Sequence, residues 1–207
     1  MHPEVLTEPA AQLFPSLAHF PGFYLAGGTA LALQIGHRMS VDFDLFTDTD
    51  ISPRMLERAR REFQQASVSP LVNDPTELTV LANGVKVTFL KYPFSVQDSF
   101  AEYDGVQLLS VREIAATKAY TIGRRGSYKD YVDLYFIVAK CGISLRDIIQ
   151  LADQKFGADF NSRLFLEQLV FLDDVQDMDI RFLGKTVTPS EIIGYFERNI
   201  RNNGANF

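Results

Sequence analysis

The sequence predicts an α+β fold, a mixed sheet flanked by helices and followed by a helical C-terminal part. Three observations predict it. A strand, a glycine turn, a helix and a second strand fit the stretch Phe23 to Phe46, FYLAGGTALALQIGHRMSVDFDLF. Three further strand-like runs follow, two of them joined by Asn83-Gly84, the strongest short hairpin signal. Near residue 110 the pattern turns from mixed strands and helices to helices alone. That change divides the chain into an α/β core over 1–109 and a helical part over 110–207.

The elements follow in order. Residues 9–20, PAAQLFPSLAHF, set Leu13, Leu17 and Phe20 at helical spacing. Pro15 either kinks this helix or marks its true start, and Pro21-Gly22 stops it. Phe23 to Ala26 is a buried strand, Gly27-Gly28 a turn, and Thr29 to Ile35 a helix rich in Ala and Leu. Val41 to Phe46 is the second strand. Ser52 caps a helix with Pro53 at its first position, running to about Ala66. Met55, Leu56, Ala59 and Phe63 form its inner side, and Arg54, Glu57, Arg58, Arg60, Arg61 and Glu62 its charged outer side.

Residues 67–73, 77–82 and 85–91 read as strands. Residues 93–109 are irregular, with Tyr103-Asp104-Gly105 as a turn before a short strand from Val106 to Leu109. Ser110 and Glu113 make a capping box for a helix that ends at Gly123. Arg124-Arg125-Gly126 is a basic loop. Ser127 caps a helix from Tyr128 to Lys140, which Gly142 ends. Ser144 opens a helix to about Phe156, residues 160–171 are amphipathic, and Thr188-Pro189-Ser190-Glu191 starts the last helix.

Composition bounds the function. Of 207 residues, 46% are hydrophobic and 22% charged, which supplies a core and gives no sign of disorder. The net charge of −6 argues against a protein coated by long nucleic acid, but leaves room for a local basic groove. A single cysteine, Cys141, permits no internal disulfide, and His2, His19 and His37 are too scattered for a zinc site. No apolar run approaches the ~18 residues that span a bilayer. The chain therefore reads as cytoplasmic, with no membrane contact.

Two features carry chemistry. A glycine turn opening a helix exposes amide N–H groups and the positive end of the helix dipole, a site for phosphate; it is equally the shape of an ordinary tight turn. On the following strand, period-two alternation sends Val41, Phe43 and Leu45 to one face and Asp42 and Asp44 to the other. Two such carboxylates start roughly 6–7 Å apart at the backbone and can converge on one hard cation; otherwise they are a solvated strand face. Arg38 suits a phosphate, Asp44, or a structural tether of the acidic strand. Lys129, Asp130 and Asp133 share a helix face, as a surface ion pair would, and Lys118 reads on its own as a lysine on an amphipathic helix. Arg124, Arg125 and Lys129 either receive an RNA end or form a solvated loop. Tyr128, Tyr131, Tyr135 and Phe136 fit core packing as well as base stacking.

Gly27-Gly28-Thr29, followed by His37-Arg38-x-Ser40-x-Asp42-x-Asp44-Leu45-Phe46, resembles the minimal nucleotidyltransferase core. Most of all it resembles the AbiEii/AbiGii-type nucleotidyltransferase toxins of abortive-infection and toxin–antitoxin systems. Lys118-Ala119, then Arg124-Arg125-Gly126-x-x-Lys129-Asp130-x-x-Asp133-Leu134-Tyr135, is similar to that family's second signature. The resemblance covers roughly residues 20–140. It implies a nucleotidyltransferase-like sheet, with the helical part completing the site. Gly27, Gly28 and Thr29 would contact nucleotide phosphates, together with Arg38, Ser40 and Lys129. Asp42 and Asp44 would hold Mg²⁺, Lys118 would neutralise phosphate charge, and Asp133 with Asp130 would complete the catalytic set. Many nucleotidyltransferases carry a third carboxylate on the later hairpin strand, where this chain reads Val85-Lys86-Val87-Thr88.

The implied activity is Mg²⁺-dependent transfer of a nucleoside monophosphate from an NTP to an acceptor hydroxyl. The implied biology is a toxin with a cognate antitoxin, and an acceptor such as a tRNA end. Two alternatives stand beside it: a non-catalytic nucleotide- or partner-binding member of the same fold, consistent with Thr88, and a transferase acting on a small antibiotic-type acceptor.

Overall fold

The computed structural model of the chain describes residues 1–63, 66–172, 175 and 179–203. They form two compact units, one of residues 1–95 and 99–110, the other of residues 96–98 and 111–207. The first unit holds all seven strands described, and the second holds five of the eight α-helices.

The first unit is built on a single sheet. Its strands are β1 (Tyr24–Ala26), β2 (Phe43–Thr47), β3 (Val68–Asn73), β4 (Glu77–Ala82), β5 (Val85–Lys91), β6 (Ala101–Tyr103) and β7 (Val106–Leu108). They lie in the order β3-β4-β5-β2-β1-β7-β6. β2 runs antiparallel to β1 and parallel to β5, and β7 runs parallel to β1, so the sheet is mixed. Two tight hairpins serve it. Asn83 and Gly84 (φ 49° and 82°) join β4 to β5, and Asp104 and Gly105 (φ 52° and 78°) join β6 to β7. Positive φ at both central residues matches the right-handed strand twist, which is why Asn-Gly and Asp-Gly sit there.

Alternation along β2 and β5 gives the sheet two different faces. Phe43 and Leu45 of β2, Val85, Val87 and Phe89 of β5, and Leu78, Val80 and Ala82 of β4 are all buried on one face. Phe20 packs on it, with its ring centroid 4.8 Å from Phe89 and 5.3 Å from Phe63. The other face carries Asp44, Lys86, Thr88, Thr79 and Glu77.

The helices of this unit are α1 (Glu8–Leu13), α2 (Gly27–Ile35) and α3 (Met55–Glu62). Several expected boundaries shift. The opening helix is two pieces, since α1 ends at Leu13 and a 3-10 segment with Pro15 near its start spans Phe14–His19. Pro15 has no amide to continue the α-helical ladder. Gly27-Gly28 is the first turn of α2 itself, not a turn ahead of it. β2 begins at Phe43, so Val41 and Asp42 precede the strand. Their segment is held elsewhere: the Asp42 carbonyl accepts from the Thr29 hydroxyl, and the Ser40 amide donates to the Val5 carbonyl at 2.9 Å. Val41 is accordingly exposed, apart from Phe43 and Leu45. α3 starts after a turn at Ser52, whose carbonyl accepts from the Met55 amide, and ends at Glu62, short of Ala66. β6 lies in the stretch expected to be irregular.

The second unit is helical: α4 (Val111–Arg125), α5 (Tyr128–Cys141), α6 (Leu145–Phe156), α7 (Ser162–Leu169) and α8 (Pro189–Asn203). α4 runs through Gly123 to Arg125, so Arg124 and Arg125 are helical rather than a loop. Gly123 faces Phe165 of α7, where a Cβ would meet the backbone at 3.8 Å, an ordinary contact. Capping boxes fix the starts of α5 (Ser127 with Asp130) and α6 (Ser144 with Asp147). Glu113 and Lys155, 2.6 Å apart and buried, join α4 to α6. The other Glu113 oxygen accepts from the amides of Gln97 and Asp98, which holds residues 96–98 to this unit. Among the described residues, no helix is long and apolar enough to cross a membrane.

Candidate active site

In the first unit the candidate residues gather where α2 starts beside β2. Ala26, just before α2, pairs with Asp44 across the antiparallel ladder. Gly27 has φ +66°, and a Cβ built there would lie 2.7 Å from Asp44 Oδ2. The Asp44 carboxylate therefore occupies space that only a glycine leaves open. Asp42 is two residues earlier, ahead of the strand, with Lys86 Nζ 3.5 Å from its Oδ2 and both side chains half-exposed. Thr29 and Ser40 are buried, their hydroxyls 2.6 Å apart. With the Thr29 bond to the Asp42 carbonyl, this pair ties the first turn of α2 to the segment that enters β2. Arg38 is buried and donates from Nη1 to the Met39 carbonyl at 3.0 Å.

The donor set fits a hard divalent cation. Asp42, just ahead of β2, and Asp44, on it, are half-exposed carboxylates near helix-start amides that suit phosphate. Among the described residues no group of three or more His, Cys, Asp or Glu is arranged to hold a metal ion. Two carboxylates are what Mg²⁺ usually takes from a protein when substrate phosphates and water complete its shell. Thr88 of β5 is the register partner of Asp44.

In the second unit, Lys118 of α4 meets Asp130 and Asp133 of α5. Its Nζ lies 2.6 Å from Asp130 Oδ1 and 2.8 Å from Asp133 Oδ2. Asp133 has no exposed surface and Lys118 is 8% exposed. Burial pulls the Lys118 ammonium pKa down, but the Asp133 and Asp130 carboxylates outweigh it, and the net shift is upward. Asp130 Oδ2 also accepts from the amide and hydroxyl of Ser127, so one side chain caps α5 and grips the lysine. The cluster is thus a buried bridge between two helices rather than a surface ion pair. Lys129 beside it is half-buried.

The neighbouring aromatics are core. Tyr128, Tyr131, Tyr135 and Phe136 are all buried, and burial pushes the Tyr131 hydroxyl pKa up to about 12. Arg124 stacks over the Tyr120 ring at 4.3 Å and donates to the Asp159 carbonyl. The buried pair Glu113–Lys155 was not expected from sequence, because its partners lie 42 residues apart and Glu113 read as half of a local capping box with Ser110.

The profile of the family described as "Nucleotidyl transferase AbiEii toxin, Type IV TA system" matches residues 11–192. The chain belongs to this family. The match extends well beyond the motifs of residues 20–140, to the start of α8. As an AbiEii-family protein it is a nucleotidyltransferase, of a family that uses divalent metal ions and NTP substrates and is paired with antitoxins. A relative in Aquifex aeolicus (strain VF5), the uncharacterized protein aq_aa25, is 32% identical over 158 residues, covering 75% of this chain and 76% of the relative. Two solved structures share the fold. MenT4, the nucleotidyltransferase toxin Rv2826c of Mycobacterium tuberculosis H37Rv, has a TM-score of 0.61 at 16% identity, covering 94% of this chain and 82% of that one. A candidate nucleotidyltransferase from H. pylori has a TM-score of 0.57 at 16% identity, covering 92% and 89%.

Proposed function

We propose that this AbiEii-family protein acts in the cytoplasm as the toxin of a toxin–antitoxin pair, moving a nucleoside monophosphate from an NTP to the hydroxyl of an RNA acceptor such as a tRNA end. Mg²⁺ is the metal, held by Asp42 and Asp44. The amides of Gly27 and Gly28 at the start of α2 take the triphosphate, with Arg38 and Lys129 adding positive charge. Thr29 and Ser40 set the position of these amides relative to Asp42. Lys118, steadied by Asp130 and Asp133, has the phosphate-neutralising role. When bound, the cation neutralises charge as pyrophosphate leaves, which is most of what phosphoryl-type transfer asks of a protein.

The observation that carries this reading is the packing of the Asp44 carboxylate against a glycine with positive φ at the start of α2. It brings an acid and a phosphate-type helix start into contact at a point where any side chain would separate them. The test is a labelled-NTP transfer assay on total RNA with Mg²⁺. The wild-type chain labels RNA, and the double variant Asp42→Asn/Asp44→Asn does not. Equal labelling by the variant overturns the metal assignment. Labelling of a small molecule, with none of RNA, overturns the acceptor.

A further inference from the structure

Beyond Asp44 the same face of the sheet turns from polar to aromatic. Phe46 follows Asp44 by two residues on β2, so both side chains stand on one face, roughly 6–7 Å apart at the backbone. Tyr24 of β1 is the register partner of Phe46, as Ala26 is of Asp44. Ring contacts join these two to three further aromatics. Tyr92 stacks on Phe46 with centroids 4.7 Å apart and planes 23° apart, and Phe94 meets Tyr92 at 5.5 Å. Tyr24 lies edge-on to Phe46 at 6.2 Å and packs on Phe100 at 5.0 Å. This row differs from the core. Phe20, Phe43, Phe63 and Phe89, packed on the other face, are at most 2% exposed, whereas Phe100 is 37% exposed and Tyr24, Phe46, Tyr92 and Phe94 are all partly open. An aromatic row left partly open beside a polar site is a surface for a flat apolar group.

The order of features along the β1–β2 ladder is the order of the parts of a nucleoside triphosphate. β1 runs from Tyr24 to Ala26 and continues into Gly27 at the start of α2. The helix-start amides therefore lie at one end, Asp44 in the middle, and Tyr24 and Phe46 at the other end. A triphosphate that runs from the amides to the cation, α-phosphate last, sends its ribose and base on to the aromatic end. We propose that Tyr24 and Phe46 form the platform on which the nucleobase of the donor NTP stacks, and that Tyr92 and Phe100 are positioning residues that hold these two rings. The inference rests on the reading of Gly27 and Gly28 as the phosphate amides and of Asp42 and Asp44 as the metal pair. Every base has a π-face, so stacking adds affinity for the nucleoside without choosing among the four bases. The rings carry no charge, so their loss touches the base and not the phosphates.

The test is isothermal titration calorimetry of the full chain with Mg²⁺. The ligands are α,β-methylene analogues of the four NTPs, which cannot transfer, and inorganic tripolyphosphate, which has no base. Wild type is expected to bind its tightest nucleotide about ten-fold more tightly than tripolyphosphate. Tyr24→Leu and Phe46→Leu, with folding checked by thermal melts, should each weaken that nucleotide about five-fold or more and leave tripolyphosphate unchanged. Tyr24→Phe and Phe46→Tyr keep a ring and bind the nucleotide more tightly than the leucine variants. Tyr92→Leu and Phe100→Leu should weaken it in the same direction. Phe100, at the exposed end of the row, reads the platform if a leucine at Tyr24 or Phe46 prevents folding. Equal loss of nucleotide and tripolyphosphate in the leucine variants overturns the platform, because the rings then only support the strands. Unchanged nucleotide affinity in these variants overturns it too, as does a wild type that binds tripolyphosphate as tightly as every NTP. Unchanged affinity for both ligands in folded Asp44→Asn overturns the metal pair instead.

Discussion

Gly27 and Lys118 show how single residues set what this protein can do. At Gly27 two constraints coincide. The backbone is left-handed, which costs an L residue roughly 1–2 kcal/mol, and a Cβ would meet Asp44 Oδ2 at 2.7 Å. Gly27→Ala is therefore expected to lower stability by about 1 kcal/mol or more in urea unfolding and to turn the Asp44 carboxylate away. RNA labelling should fall by more than the loss of folded protein explains. Lys118 is a different case, because its worth lies in what its removal strands. Lys118→Met leaves Asp130 and the fully buried Asp133 without their cation, and breaking a buried pair in this way costs about 3–5 kcal/mol, measurable by urea titration. The pH dependence has a definite sign. The folded-state pKa of Lys118 is above its ordinary 10.5, so its contribution is fully present below pH 10.5 and is lost only as pH rises beyond that through the folded value. Wild type and Lys118→Met should therefore differ by a constant amount from neutral pH to about pH 10.

At the scale of elements, caps decide where helices start, and their carboxylates make them respond to acid. Ser144 accepts from the Asp147 amide while Asp147 accepts from the Ser144 amide and hydroxyl. The Ser144 bonds hold the Asp147 pKa below its ordinary value. A lowered carboxylate pKa means stability present above the unfolded-state pKa of 3.8 and lost as pH falls through the folded one. Ser144→Ala should cost about 1 kcal/mol at neutral pH, and thermal melts should show the variant losing less than wild type on acidification below pH 4. The caps at Ser127 and Ser144 were legible in the sequence because they are local. The Asn83-Gly84 hairpin was legible for the same reason. The acidic pair was legible in part: alternation placed Asp42 and Asp44 on one face, but β2 begins only at Phe43, because Thr29 and Val5 bind the segment before it. The ring row of Tyr24, Phe46, Tyr92 and Phe100 and the pair Glu113–Lys155 were not legible. Each depends on register between strands or on helix packing, and neither leaves a mark on the local pattern.

At the scale of the whole molecule, the chain returns to the sheet after residue 98 to add β6 and β7, then leaves it for good after residue 110. A shift in periodicity near residue 110 marks that last departure, whereas the brief excursion at 96–98 has no sequence signature. It rests on two amides bound by one Glu113 oxygen. Function at this scale is a linkage between ligand and fold. A ligand that binds only the native chain stabilises it by roughly 2.7 kcal/mol at a hundred times its Kd. For a protein of this size that is a rise in Tm of roughly 5–10 °C. Each NTP, added with Mg²⁺ in turn at equal concentration, is expected to raise the Tm with the logarithm of its affinity, so the nucleotide with the largest shift is the donor. The shift needs no acceptor, which separates nucleotide binding from the choice of RNA. It should vanish when Mg²⁺ is chelated and be largely lost in Asp44→Asn. An equal shift in wild type and Asp44→Asn would place the nucleotide away from the acidic pair.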